Sequence, residues 1–351
     1  MSYTNGLDKP TDYFNTVLYS GNATARSITG VGFQPDWVWI KGRTTAYNNT
    51  LFDAIRGATK RLYSNGTDAE STQSVTLTSF DSDGFSLGNN ASVNSATSTF
   101  VAWNWLASNT TASNTDGSIT STVSANTTSG FSIVSYTGSG SVTSFGHGLG
   151  VAPSMVIIKN RDNTDEWTVF HKGISSGQGY IVLNSTAAAV TGSSRRFRYG
   201  DDSDGKIPDS SKVYLGTASG VNTSGEDYIA YCFADKKGFS KFGSYTGNGS
   251  TDGTFIYTGF KPAFVIFKKT SATANWSVRD NKRDSFNAGD TNLFANLSDA
   301  ESSSNDVDFL SNGIKLRNAG NNWNSSGATY IYMCFAESPL VGTNNIPAVA
   351  R

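Results

Sequence analysis

Apolar and polar residues alternate along much of the chain with the period of two that is typical of β-strands. In the stretch YIAYCFA, which begins at Tyr228, the large Ile, Tyr and Phe side chains fall on one face and the small Ala and Cys side chains fall on the other. The stretch WVWI (residues 37–40) is apolar throughout, as expected for a central strand covered on both faces. These patterns predict short strands joined by turns, with one possible short helix at residues 49–65.

This strand pattern occurs three times, because FVAWNWLA begins at Phe100, YIAYCFA at Tyr228 and YIYMCFA at Tyr330. Before each copy lies a second apolar strand, which follows a proline and ends in a lysine. A repeat of roughly 100–120 residues is long enough to hold its own core, whereas solenoid and propeller repeats are about 20–50 residues long. The prolines and lysines are Pro35 and Lys41, Pro153 and Lys159, and Pro262 and Lys268.

The repeat predicts an all-β protein with three tandem antiparallel β-sandwich domains of the jelly-roll or concanavalin-like kind. The segment between the first two repeats is polar and rich in β-branched residues, so it forms either a linker or an extra edge strand. The predicted parts are an N-terminal arm (1–12), repeat 1 (13–107), the connecting segment (108–128), repeat 2 (129–236), repeat 3 (238–337) and an extended C-terminal tail (338–351).

Composition agrees with many short strands. Hydrophobic residues are only 37% of the chain, but aromatic residues, which bury large areas, reach 12%. The net charge of −1 argues against nucleic acid as a partner. The N-terminus has no basic segment followed by an apolar one, and no stretch approaches the length of a membrane helix. We therefore expect a protein made in a cytoplasm and not inserted into a membrane.

Several long phrases resemble a known family. They are LDKPTDYFNTVLYSGN, GFQPDWVWIKGR, FDSDGFSLGNN, TFVAWNWLA, YIAYCFADKKGFSKFGSYTGNGS, GFKPAFVIFKK and YIYMCFAESP. Together they resemble the triplicated β-domain structural proteins in the virions of tailed phages, especially phages of marine bacteria and cyanobacteria. The resemblance covers nearly the whole chain, but its motifs are packing motifs, so no site residue is carried over from the family.

The resemblance implies a non-enzymatic structural protein at the surface of a virion, in the tail, a fibre or the capsid surface. It also implies assembly with other virion proteins and with copies of itself, a trimer being one option, and a role in host attachment. Two other functions stay open: a carbohydrate-recognition module that binds host surface glycan, and a depolymerase spike. A capsid decoration protein is a further structural alternative.

We expect no catalytic residue, cofactor or metal. The two histidines, His147 and His171, have no metal-ligand spacing, and no Gly-X-Ser-X-Gly elbow is present. The segment DSDG occurs twice, and its alternating carboxylates make weak Ca²⁺ candidates. The same letters are typical of tight turns, which we favour. The four candidate carboxylates are Asp81, Asp83, Asp202 and Asp204.

Few residues qualify as contacts for a ligand or receptor. Trp323 lies in the polar stretch NAGNNWNSSG, and we expect it to be an exposed aromatic. The stretch SSRRFRYG supplies Arg195, Arg196 and Arg198, either as a solvated strand or as a salt-bridge patch between subunits. The basic segments that begin at Arg56 and Asp280 occupy corresponding parts of their repeats. They predict lateral contacts, with binding of an anionic surface glycan as the alternative. Cys232 and Cys334 should be free and buried, because equivalent core positions in neighbouring repeats lie too far apart for a disulfide.

Overall fold

In the computed structural model, nearly all regular structure is β, and every pair of named strands is antiparallel, which confirms the predicted fold class. The structure describes residues 7–174, 179–191, 196–197, 206–342 and 347–349, without the side chains of 304–306. We call residues 13–107, 129–236 and 238–337 the first, second and third units. Within the described ranges, no helix has the length and apolar character needed to span a bilayer.

The first unit follows a 3-10 turn at Pro10–Asp12. Its elements are β1 (Phe14–Ser20), β2 (Arg26–Thr29), β3 (Trp37–Gly42), β4 (Thr50–Asp53), β5 (Lys60–Tyr63), β6 (Ser71–Thr72), β7 (Leu77–Asp81), β8 (Gly84–Leu87), α1 (Ala91–Asn94) and β9 (Thr99–Trp105). The main sheet has the order β1-β9-β3-β4-β5-β6, and a small sheet, β2-β8-β7, packs against it.

The possible helix at residues 49–65 is wrong, because this segment forms β4, a turn and β5. Leu51 and Phe52 are adjacent in β4 and lie in two different cores on opposite faces of the sheet. The turn contains Gly57 with a φ of 95°, a left-handed conformation that does not fit a helix interior. The two-sided burial of β4 therefore overrides the local helical pattern.

The second unit is preceded by an edge hairpin formed by residues 108–128. The elements are β10 (Ala112–Asn114), β11 (Ser121–Asn126), β12 (Phe131–Thr137), β13 (Thr143–Gly146), β14 (Met155–Asn160), β15 (Thr168–His171), β16 (Ile181–Val182), β17 (Lys212–Leu215), α2 (Ser219–Asn222) and β18 (Asp227–Phe233). The main sheet has the order β10-β11-β12-β18-β14-β15-β16, and β13 pairs with β17 in a small sheet.

The third unit has its strands in one continuous sheet, ordered β19-β26-β21-β22-β23-β24-β25-β20. Strands β24, β25 and β20 turn back to cover one face of β21 and β26. The strands are β19 (Ser240–Thr246), β20 (Phe255–Tyr257), β21 (Phe260–Lys269), β22 (Ser277–Asp280), β23 (Gly289–Phe294), β24 (Ser302–Leu310), β25 (Gly313–Leu316) and β26 (Thr329–Pro339).

The main sheets of the three units share one strand order: β1-β9-β3-β4-β5, β12-β18-β14-β15-β16 and β19-β26-β21-β22-β23. The register also corresponds, so positions are matched residue by residue. Origin by triplication and the repeat boundaries stay predictions. The matched sets are Trp37, which pairs with Trp105 and Asp53; Met155, which pairs with Phe233 and His171; and Phe264, which pairs with Phe335 and Asp280.

All three units contribute to one central core. The ring of Trp37 stacks on Tyr231 of the second unit, with centroids 4.5 Å apart. Phe335 of the third unit meets Phe14 of the first at 5.0 Å and Phe233 of the second at 6.1 Å. The length of the repeat predicts a separate core for each unit, and this prediction is wrong for the large faces of the main sheets. The large face of each main sheet is instead covered by the other two units, because the small sheets of the first two units and the folded-back strands of the third cover only the opposite face.

Each unit also has a smaller core of its own on that opposite face. Cys232 lies in the smaller core of the second unit, and Cys334 lies in that of the third. Both cysteines are buried and free, as predicted. The corresponding residue of the first unit is Asn104, whose amide donates to the carbonyl oxygens of Asn15 at 3.1 Å and Ala102 at 3.0 Å.

Candidate functional site

Adjacent units meet along three seams, named here by the units that they join. One backbone hydrogen bond recurs in each seam and closes the three units into a ring. The seams are defined by the N–H of Glu70 and the carbonyl of Arg161 (seam 1–2, 2.8 Å), the N–H of Ala189 and the carbonyl of Thr270 (seam 2–3, 2.9 Å), and the N–H of Glu301 and the carbonyl of Arg43 (seam 3–1, 2.7 Å).

A fully buried lysine bonds across every seam, at the end of the apolar strand that the sequence repeats. Each ammonium group donates to backbone carbonyl oxygens, one of them in the neighbouring unit, and burial lowers the pKa of each lysine to about 8. The repeated lysine is therefore a clamp between units. The bonds across the seams join Lys159 to Thr67 at 3.1 Å, Lys268 to Thr186 at 3.0 Å and Lys41 to Ser298 at 2.8 Å.

Seam 1–2 also holds a network of charged side chains. Arg56 is buried and bonds to Asp53, which also accepts the hydroxyl of Tyr231 at 2.7 Å. The guanidinium of Arg56 reaches Glu70 at 3.3 Å, and Arg161 of the second unit donates twice to Glu70, at 3.1 and 3.2 Å. Burial by itself would raise the pKa of Glu70. The hydrogen bonds from Arg161 and the charge of Arg56 outweigh this effect, so the pKa of Glu70 is lowered.

Seam 3–1 repeats this network. Arg283 bonds to Asp280 at 2.6 Å and to Glu301 at 3.1 Å. Arg43 of the first unit donates twice to Glu301, at 3.0 and 2.9 Å, and the Trp103 indole donates to Asp280 at 3.0 Å. Burial by itself would lower the pKa of Arg283. The negative charges of Asp280 and Glu301 outweigh this effect and raise the pKa, so the guanidinium stays charged.

Seam 2–3 lacks the network, because all four corresponding positions differ. His171 corresponds to Asp53 and Ile174 corresponds to Arg56. Ala189 corresponds to Glu70 and Thr270 corresponds to Arg161. His171 is buried, accepts the N–H of Gly173 at Nδ1 (2.9 Å) and bonds through Nε2 to the Tyr332 carbonyl (3.1 Å). Burial lowers the pKa of His171 to about 4, so this position is neutral at pH 7.

A cavity of about 420 Å³ lies in seam 2–3 where the other seams hold the carboxylate and guanidinium groups. The second unit forms one wall, which is apolar at Ile174 and Ala189. The third unit forms the opposite wall, which carries hydroxyl groups, and the hydroxyls of Thr270 and Thr329 lie 2.8 Å apart. We call this space the seam cavity. Its lining includes Ile174, Ala189, Ser244, Thr246, Thr270 and Thr329.

A second, larger cleft of about 630 Å³ lies at the connection between the second and third units. Three lysines, Lys236, Lys237 and Lys241, contribute to its lining together with Tyr257 and Leu340. Tyr257 is 52% exposed, and the Lys241 ammonium lies 5.1 Å from the centre of its ring. We call this space the lysine cleft; its three ammonium groups outnumber the one carboxylate in the described lining, that of Asp235.

Trp323 is not an exposed aromatic, so that prediction is wrong. It is only 6% exposed and packs in the smaller core of the third unit. Its indole N–H donates to Asn318 at 2.6 Å, and its carbonyl accepts the hydroxyl of Tyr245 at 2.7 Å. The polar residues around Trp323 satisfy its hydrogen bonds, which is why a polar stretch contains a buried ring.

Arg196 makes contacts within the second unit. Its guanidinium donates to Glu166 at 2.6 Å and to the Thr168 hydroxyl, and it lies 4.3 Å from the centre of the Tyr180 ring. Arg196 therefore forms its salt bridge within one unit, and the predicted contact between subunits stays a prediction. The other predicted candidates there, Arg195, Arg198, Asp202 and Asp204, lie outside the described residues.

The first DSDG segment forms a turn. Asp83 accepts the backbone N–H groups of Gly30 at 3.0 Å and Gly32 at 2.6 Å, and these bonds lower its pKa. Asp81 accepts the hydroxyls of Ser79 at 2.7 Å and Ser86 at 2.6 Å. Among the residues that the structure describes, no three His, Cys, Asp or Glu side chains form a group that could hold a metal ion.

His147 is a buried turn residue. Its Nδ1 accepts the N–H of Leu149 at 3.2 Å, and its Nε2 bonds to the carbonyl of Asp209 at 3.1 Å. Burial lowers its pKa, so the ring is neutral at pH 7. Both ring nitrogens are occupied by backbone groups, which fits the turn interpretation.

The charged networks of seams 1–2 and 3–1 were visible in the sequence only as basic segments at corresponding positions. Arg56 and Arg283 make contacts between units within one chain, and both side chains are fully buried. They are therefore not available to an anionic glycan on the surface. The spacing Asp-X-X-Arg, present at Asp53 and Asp280 and absent at His171, is the signal that distinguishes the seams.

A comparison with protein families gives one match. The family model described as "Domain of unknown function (DUF7483)" matches residues 9–339. No curated protein and no solved structure matches the chain significantly. The matched range includes all three units and the residues that define all three seams, so the chain belongs to the DUF7483 family.

Proposed function

We propose that this chain is a non-enzymatic structural protein of a tailed-phage virion, exposed at the surface of the tail or a fibre. In this role it contributes to assembly and to host attachment. The resemblance of its long packing motifs to such virion proteins supports the proposal. A capsid-surface position is the structural alternative.

The observation that carries the proposal is the closed ring. The third unit bonds back to the first at two places. The Lys41 ammonium donates to the Ser298 carbonyl at 2.8 Å, and the Arg43 guanidinium makes two hydrogen bonds to the Glu301 carboxylate. The buried charges of Arg56 and Arg283 likewise serve contacts between units. Because the three units share one core, no unit can separate without exposing the apolar surface of the other two. Such cooperative stability suits a protein that must persist outside a cell.

Immunogold labelling of intact virions tests this function. Antibodies raised against the purified chain should label the surface of particles made by a phage that encodes it. Labelling at the tail or fibre supports attachment, and labelling over the head supports the capsid alternative. Particles without gold, together with absence of the chain from purified virions by mass spectrometry, would exclude a virion role.

Assembly with copies of itself is part of the same proposal, with a trimer as one option. Size-exclusion chromatography with multi-angle light scattering measures the mass of the purified protein. An assembly mass at a small multiple of 37.3 kDa supports it. A monomer at all concentrations would mean that other virion proteins supply the lateral contacts.

Carbohydrate recognition is the second candidate function, because the described residues that line the seam cavity are uncharged and rich in hydroxyl groups. Carbohydrate recognition would also contribute to host attachment, and binding of the purified chain to a glycan array tests it. A depolymerase activity would appear as shorter products after incubation with host polysaccharide. Products of unchanged size exclude that activity on the polysaccharide tested.

A further inference from the structure

We propose that the seam cavity binds a neutral, polyhydroxylated ligand, one or two sugar residues of a surface glycan. This inference rests on the proposed role in host attachment and names the part of the molecule that would make the contact. The volume of about 420 Å³ lies within the range of small-molecule sites.

The first argument is that the four network positions differ together. Removing one partner of a buried ion pair leaves an unpaired buried charge, which is strongly destabilising. In seam 2–3 the Asp, both Arg and the Glu positions are all uncharged, so no such charge is left. The space of the carboxylate and guanidinium groups is not refilled by larger side chains, because Ala189 and Thr270 are both small.

The second argument is that seam 2–3 is closed without the network. Lys268 still donates to the Thr186 carbonyl at 3.0 Å, and the backbone bond between Ala189 and Thr270 is 2.9 Å long. The indole of Trp276 donates across the same seam to the carbonyl of Val182 at 2.9 Å. The cavity is therefore a defined space in a seam whose backbone contacts are kept.

The lining chemistry indicates the class of ligand. The third unit supplies five serine and threonine hydroxyl groups, and each can donate and accept a hydrogen bond, as a sugar hydroxyl does. Ile174 and Ala189 offer an apolar surface for the C–H face of a sugar ring. His171 next to the cavity is neutral, and the Lys268 ammonium is bonded to three carbonyl oxygens. A charged ligand has no counter-ion among these groups.

The decisive variant is Ala189→Glu/Thr270→Arg, which installs the ion pair that fills the corresponding space in the other two seams. A second variant, Ser244→Ala/Thr246→Val, removes two exposed hydroxyls without filling the cavity. The matched control is Ser135→Ala/Thr137→Val, which changes the corresponding positions of the second unit, at seam 1–2. Circular dichroism and thermal unfolding establish that all three variants fold.

The probes are methyl glycosides of glucose, galactose, mannose and N-acetylglucosamine, with lactose and maltose, and galacturonate as the acidic comparison. Binding is measured by saturation-transfer difference NMR at millimolar concentration on the full chain. At least one neutral probe should bind the unsubstituted protein and the control equally. Its affinity should fall at least tenfold in both seam-cavity variants.

Three results would overturn the inference: no neutral probe binds at millimolar concentration, binding is unchanged in both seam-cavity variants, or galacturonate alone binds. The last result would direct attention to the lysine cleft. Each of them leaves the immunogold experiment unaffected, so a labelled virion whose protein binds no neutral sugar would reject the seam cavity and keep the virion role.

Discussion

Seam 1–2 and seam 2–3 each contain the recurring backbone hydrogen bond and a buried lysine at the corresponding position. They differ at all four positions of the charged network. In seam 1–2, Arg56 and Arg161 hold Glu70 between two guanidinium groups. In seam 2–3, a neutral histidine, an isoleucine and two small residues occupy the corresponding positions. The difference teaches that the backbone bond and the lysine close a seam by themselves, and that seam 2–3 lacks all four charged residues of the network at once.

The largest change in the free energy of unfolding is expected when one residue of the charged network in seam 1–2 is replaced alone. Arg56→Ile should lower the free energy of unfolding by about 3–5 kcal/mol, because Asp53 is left buried without its partner. Urea unfolding measures the loss. The quadruple variant Asp53→His/Arg56→Ile/Glu70→Ala/Arg161→Thr copies seam 2–3 and should recover most of it.

The control for that experiment is Arg61→Ile, a partly exposed arginine of the same unit. It should change stability by less than about 1 kcal/mol. An equal loss in the single and quadruple variants would mean that the network is not replaceable as a set, and the comparison of the seams would fail.

Acid should act on seam 2–3 through His171. Its pKa is about 4 in the folded protein against an ordinary value of 6.5, so the unfolded chain binds the proton first. Stability should therefore fall as pH drops from about 6.5 to about 4, by about 3 kcal/mol from this group. His171→Gln keeps a donor and an acceptor but cannot titrate. The difference between the two proteins in thermal unfolding across this pH range isolates the contribution, and parallel curves would contradict it.

The lysine clamp should be worth the same in both seams. Lys159→Met and Lys268→Met should each cost about 1–3 kcal/mol, because buried carbonyl oxygens lose their donor. Equal losses in denaturant unfolding are expected even though only one of the two seams has a charged network. A much larger loss at Lys268 would show that this clamp compensates for the missing network. The partly exposed Lys60, changed to Met, serves as the control.

The smallest effect is expected at the cysteines, which lie outside the seams. Cys232→Ala and Cys334→Ala should each cost about 1 kcal/mol. Burial raises the pKa of both thiols, so they should react with thiol reagents only after unfolding. Rapid labelling of the native protein by a maleimide, followed by mass spectrometry, would contradict the burial of this strand face.

The sequence predicted the strands and their faces well, because alternation with a period of two reports directly which side chains are buried. It did not predict what covers them. The large faces around Trp103 and Tyr231 were assigned to separate cores, since alternation carries no information on the partner sheet. Trp323 was missed because hydrogen bonds to nearby polar groups let an indole be buried in a polar loop.

The seam cavity could not be predicted for a different reason. The bond between Glu70 and Arg161 joins residues 91 positions apart, so no local pattern contains it. A cavity at Ala189 and Thr270 is an absence of side chains, and small residues are frequent everywhere in this chain. Only the backbone hydrogen bond that recurs in each seam aligns those two positions with Glu70 and Arg161 and makes the difference between the seams visible.

The closed ring has a consequence for synthesis on the ribosome. The aromatic face that contains Trp105 is covered in part by Phe335, at 5.8 Å between ring centres, and Lys41 bonds to Ser298, 257 residues further along the chain. At about 5–20 residues per second, the first sheet waits roughly 10–50 s for the strand that covers it. During that interval the nascent chain exposes tryptophans that the other two units cover in the folded protein. A holding chaperone that shields aromatic surface should therefore raise the yield of folded protein more than one that acts after release.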